Sequence, residues 1–200
     1  MKSIILLALL AGTGSWAMTA LAADRTSTGS TPPVACALLG EEEAVALVGG
    51  TLGEVFKNEE LPTMENGHDH NSVCGFFPKG YNIQKADHPP ERGLQLQLHA
   101  MQTSANAKTF YEQTLASHQE MTRMPGSPFA GNKITTLKGM GEEAFLLEKK
   151  IEPEPRSSYE IATIYFVKGT VMGQLTAWKK ASPASEIAKS AAKKVLLKLP

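Results

Sequence analysis

The chain has few cysteines, no excess of either charge and, after its start, no long apolar run, and each shortage closes off a class of function. Lys plus Arg and Asp plus Glu both number 20, so the formal net charge is zero. A nucleic-acid binder needs a basic excess to neutralise phosphates, and this balance argues against one. The two cysteines, Cys36 and Cys74, lack the C-x-x-C spacing that a redox pair prefers. Beyond the first two dozen residues nothing approaches the about 20 consecutive apolar residues that span a bilayer. No G-x-S-x-G and no phosphate-cradling glycine loop is present. Gly139-Met140-Gly141 lacks both the third glycine and a following helix, and reads as a turn.

The start of the chain carries the clearest signal. Lys2 precedes the apolar core Ile4-Ile5-Leu6-Leu7-Ala8-Leu9-Leu10, and Ala20 and Ala22 supply the small residues that a signal peptidase requires. Gly12, Thr13, Gly14 and Ser15 break the run too early for a membrane anchor. Residues 1–22 are therefore expected to be a cleaved signal peptide, with Ala23 as the new start. The protein is expected to be exported, to the periplasm or alternatively into the medium. Residues 23–35, small, polar and proline-ended, read as a flexible leader. A lipid anchor on Cys36 is the competing arrangement, but Pro33-Val34-Ala35-Cys36 lacks the usual leucine three before the cysteine. In an oxidising compartment two cysteines allow one intramolecular pairing, Cys36–Cys74, expected to be a structural staple.

Residues 36–200 read as a single domain. Glu41, Glu42 and Glu43 open a short helix, where acidic side chains meet the positive end of its dipole, and Gly49 suits its stop. Strands are expected over 51–56 and 73–77, with a long loop over 57–72. Leu94-Gln95-Leu96-Gln97-Leu98-His99 alternates cleanly, placing leucines toward the core and Gln95, Gln97 and His99 on the other face. Ser104 is expected to cap a helix over 105–120, with Ala107, Phe110, Tyr111, Thr114, Leu115 and His118 along one side. Strands over 133–137, 143–149, 159–167 and 170–178 follow, the last two joined at Lys168-Gly169. Ser182 as N-cap and Pro183 as first helical residue begin the closing helix. The order α-βββ-α-ββββ-α implies an α+β domain with a largely antiparallel sheet and helices packed on it. The two helix-plus-strands halves hint at a duplication.

Three segments together resemble a known group. They are Cys36-Ala37-Leu38-Leu39 leading to Gly49-Gly50, Cys74-Gly75-Phe76-Phe77, and Gly139-Met140-Gly141-Glu142-Glu143-Ala144. The pattern resembles small exported bacterial envelope proteins of unknown function, in particular actinobacterial lipoproteins of the PsbP-like α/β sandwich group. The resemblance implies a fold and a cell-envelope setting, and transfers no catalytic residues.

One local cluster could hold a metal. His68, Asp69 and His70, with Glu65 upstream and His88 in the next loop, offer imidazole and carboxylate ligands suited to zinc or copper. Read plainly, they belong to a polar surface loop, and two histidines are too few for a closed site. Ser117-His118 offers a hydrolase pair without a motif. Lys179, Lys180, Lys189, Lys193, Lys194 and Lys198 gather near the C-terminus, as a docking patch for anionic partners or as an ordinary solvated face. The expected function is a non-enzymatic binding or interaction module for an envelope protein, a lipid or a small ligand, without a resident cofactor. Metal handling is the alternative and hydrolysis the weaker one. Thiol labelling of the exported, denatured protein should find no free cysteine, and two reactive thiols would remove the staple.

Overall fold

The alternation at Leu94, Leu96 and Leu98 sits at the centre of the molecule. All three leucines are buried, while Gln95, Gln97 and His99 between them are half-buried. In the computed structural model the described residues are 32–60, 70–82, 86, 88–127, 129–151, 159–180 and 183–200. The signal peptide and residues 23–31 of the leader lie outside them, as does Ser182, while Ala35, read as the leader's last residue, is fully buried at the start of the first helix. Residues Thr31–Pro200 form one compact unit.

The elements run α1 (Ala35–Leu38), α2 (Glu41–Val48), β1 (Leu52–Glu60), β2 (His70–Pro78), β3 (Arg92–Ala100), α3 (Ser104–Arg123), β4 (Lys133–Leu137), β5 (Glu143–Ile151), β6 (Tyr159–Lys168), β7 (Val171–Lys180) and α4 (Ala184–Lys198). The strands form one sheet in the order β1-β2-β3-β7-β6-β5-β4, and every pairing is antiparallel. This is the expected α+β architecture and element order, with the one-turn α1 added. Helix α3 carries the chain from the centre to the far edge, and the second meander then returns until β7 pairs with β3.

Strand alternation divides the sheet into two faces. On one, Cys74, Phe76, Leu94, Leu96, Leu98, Ala162, Ile164, Phe166 and Leu175 are buried under α1, α2 and α4. Helix α4 presents Ala184, Ala188, Ala191, Ala192 and Val195 to this face, and small side chains let its backbone approach closely. On the other face α3 sets Ala107 and Tyr111 against Phe145, Leu147, Tyr165, Val167 and Met172. The helices that open the two halves therefore cover opposite faces, an arrangement that a duplication about an axis normal to the sheet does not produce.

Cys36 and Cys74 are joined, and no cysteine among the described residues is free. The Ala35 N–H also donates to Ser72 Oγ at 2.9 Å, so α1 is tied to β2 twice.

Several boundaries differ from the sequence reading for local reasons. β1 and β2 extend through Lys57, Asn58 and His70–Ser72, because polar residues are tolerated in a hairpin whose outer strand is the sheet edge. Thr103, not Ser104, caps α3, accepting the Asn106 N–H at 3.1 Å. Pro183 is the N-cap of α4 and makes no side-chain cap bond. The Ala184 N–H instead donates to Glu160 Oε2 at 3.1 Å, a cap supplied by β6.

Gly173 faces Phe166 directly across β6 and β7, and the Phe166 ring lies where a side chain at 173 would project. Gly173→Ala should therefore destabilise the fold by about 1–3 kcal/mol through overpacking against a fully buried ring. Urea unfolding of the variant beside the parent protein measures this.

Candidate functional site

Of the residues singled out as metal ligands, the two that are described, His70 and His88, do not meet. His70 is the first residue of β2. His88 lies beyond the other end of that strand, where its carbonyl accepts the Tyr81 hydroxyl at 2.9 Å, while the Tyr81 N–H donates to the Pro78 carbonyl. A nine-residue strand separates the two by roughly 26 Å, too far for one ion. Glu65, His68 and Asp69 lie outside the described residues. Among the described residues no group of three or more His, Cys, Asp or Glu side chains is placed to hold a metal.

Ser117 and His118 also part company. Ser117 is exposed, while His118 leans on the sheet with Nε2 2.9 Å from the Tyr165 hydroxyl. Its ring packs against those of Tyr165, Phe145 and Phe129. Burial lowers the His118 pKa and pushes the Tyr165 phenol up to about 12, so both are neutral at neutral pH. The pair links α3 to β6 as part of the core edge.

Much of the lysine cluster holds the fold together. Lys179 Nζ donates to the Val48 carbonyl at the end of α2 at 2.8 Å. Lys198 Nζ reaches both Glu43 carboxylate oxygens and the Leu38 carbonyl, and its hydrogen bonds hold the Glu43 carboxyl below its usual range. Lys180 pairs with Glu91, and Lys189 with Glu186. Lys168, from β6, donates to the Leu196 and Leu199 carbonyls at the end of α4. Cations are favourable at helix C-termini, where carbonyls lack intrahelical partners.

A further polar arrangement lies on the α3 face of the sheet, beyond the cluster that α3 covers. Pairing of β3 with β7 sets Gln97 opposite Gln174, Gln95 opposite Thr176 and Gly93 opposite Trp178. Pairing of β7 with β6 adds Thr163 opposite Thr176, their hydroxyls 3.1 Å apart. The hydrophobic cluster beneath α3 stops at Tyr165 and Leu147, and the His99–Phe110 contact marks its boundary over β3. Beyond it lies a floor of three half-buried glutamines over two buried threonines. Gln97 Nε2 donates to Asn71 Oδ1 at 3.3 Å. Gln95 and Gln174 are diagonal neighbours, and among the described residues their amides have no hydrogen-bond partner.

An aromatic group closes one end of the floor. Phe77 lies across Gly75 and Gly93, whose missing side chains make room for its ring. Trp178 meets it edge-on at 5.6 Å and Tyr81 lies tilted to it at 5.5 Å, with both rings partly exposed. Tyr159 adds a further partly exposed ring beneath Lys180 Nζ. The residues of β2, β3, β6 and β7 that point to this face, from the row of His99 to that of Trp178, include no Asp, Glu, Lys or Arg.

Sequence reasoning placed Gln95 and Gln97 on the face away from the leucines but gave them no role. The signal lies in their alternation and in its echo at Gln174 and Thr176. Only the β3–β7 pairing makes the two runs neighbours.

No protein-family model and no curated protein sequence matches the chain. Among solved structures the chain is similar to the extracellular domain of PknH from Mycobacterium tuberculosis, at 14% identity and a TM-score of 0.48, over 82% of this chain and 95% of that one. No conclusion about fold or function rests on that likeness, and the resemblance to PsbP-like lipoproteins gains no support from these comparisons.

The buried His118 makes stability depend on pH. Its pKa in the fold lies below the ordinary 6.5, so as pH falls through that value the unfolded chain takes up protons that the folded chain does not. The contribution is fully present above the ordinary histidine value and is lost on acidification. The urea midpoint should fall between about pH 7.5 and about pH 5.5, and fall less in His118→Gln, which cannot titrate there.

Proposed function

We propose that the protein is an exported, non-enzymatic binding module whose ligand site is the glutamine- and threonine-floored sheet face beside α3. Export is supported by the apolar start of the chain and by the Cys36–Cys74 disulfide, since such bonds persist in oxidising compartments. Among the described residues no helix is long and apolar enough to cross a membrane.

The observation that carries the reading is the pair of half-buried amides on Gln95 and Gln174, which have no partner among the described residues. A half-buried amide loses part of its hydration, and a ligand that restores both its donor and acceptor bonds is correspondingly favoured. Strands position these groups more rigidly than loops would, so the site is pre-organised and little ordering cost attends binding. Catalysis has no support from this face, which offers amides, hydroxyls and rings but no general base in contact with a nucleophile.

Titration of the isotope-labelled mature protein with fractionated envelope extract tests the proposal by NMR. Shifts should concentrate on β3 and β7, including the Gln95 and Gln174 side-chain amides, and disappear in the double variant Gln95→Ala/Gln174→Ala. Shifts confined to other surfaces, or turnover of an extract component, would overturn it.

A further inference from the structure

We propose that the ligand of this face is a neutral glycan, a polyhydroxylated chain without charge, bound with sugar rings against Trp178 and sugar hydroxyls on the glutamine floor; this rests on the binding-site reading above. Three observations combine. Between the row of His99 and that of Trp178 the strands β2, β3, β6 and β7 carry no ionised side chain on this face, so the glutamines have no counter-charge among them for a phosphate, a carboxylate or an ammonium group. The nearest lysines on this face, Lys149 of β5 and Lys180, flank its aromatic end, each over a ring. Burying an unpaired charge among the glutamines would cost far more than the contacts return. Charge matching thus selects a neutral partner.

The polar groups present are amides and hydroxyls. Each glutamine offers a carbonyl acceptor beside an NH₂ donor, while the buried Thr163 and Thr176 hydroxyls bond each other beneath them. Adjacent hydroxyls on a sugar ring also donate and accept, at a spacing that one amide can engage with both its atoms. Gln95 and Gln174, free of internal partners among the described residues, are the two groups ready to do this.

The third observation is the partly exposed Trp178, held edge-on by Phe77 at the end of the floor. The C–H bonds on one side of a pyranose form an apolar surface with slight positive charge, complementary to the negative face of an aromatic ring. A peptide fits less well. Peptides are held through an open strand edge or through pockets for apolar side chains, and this central floor is neither an edge nor an apolar groove.

Trp16 leaves with the expected signal peptide, so Trp178 is the single tryptophan of residues 23–200 and its fluorescence reports on the site. The exported protein is titrated with a panel of neutral hexose, pentose and N-acetylhexosamine oligosaccharides, and in parallel with a neutral peptide library. At least one oligosaccharide should shift Trp178 emission with an affinity that is unchanged by added salt, since no ion pair is screened. Its dissociation constant should rise at least tenfold in Gln95→Ala/Gln174→Ala, with near-ultraviolet circular dichroism confirming that the variant remains folded. If no neutral oligosaccharide moves Trp178 while peptides do so in a glutamine-dependent way, the glycan assignment fails and the site stands. Binding that ignores both glutamines overturns the site as well.

Discussion

The nine-residue pairing of β3 with β7 is the contact on which the rest of this molecule depends. It joins Arg92–Ala100 to Val171–Lys180, closing two meanders that would otherwise be separate sheets. Until it forms, Leu94, Leu96 and Leu98 have no complete apolar surface to pack against, because Leu175 and Ala177 come from the other strand. Long-range antiparallel pairing of this kind forms against a large loop-closure entropy. The buried leucines on one face supply the compensating drive.

The same register has a second consequence on the opposite face. Because side chains alternate with period two, the pairing that aligns the leucines of β3 with Leu175 also places Gln97 beside Gln174 and Gln95 beside Thr176. Core and candidate site are thus two sides of one alignment, and a one-residue slip would exchange them.

Around this sheet, charged side chains do structural work at helix ends. Glu160 caps the start of α4, Lys168 its end, and Lys179 the end of α2, while Lys198 ties α4 back to Glu43 and Leu38. These pairs are partly exposed, and each contributes modestly. Their value lies in matching orphan backbone groups to specific partners, which fixes where each helix sits. The disulfide and the Ala35–Ser72 bond add the same kind of constraint at α1. Within the lysine cluster, Lys179 and Lys198 are therefore committed to helix ends, while Lys193 and Lys194 remain exposed.

Local periodicity and chemistry determined much by themselves. The alternation of Leu94 to His99 specified a half-buried strand, the buried side of α3 was legible from Ala107, Tyr111 and their neighbours, and two cysteines left one internal pairing. Helix starts were less legible, because the α4 cap comes from Glu160 on a separate strand and no local pattern encodes it. Whether His88 joins His70 could not be read from their nearness in sequence, and the length of β2 sets the two apart. Tertiary structure alone decided that Gln95 and Gln174 are neighbours, that α2 and α3 cover opposite faces, and that β7 returns to β3. Strand order arises from summed burial across distant segments, a quantity that no window of sequence contains.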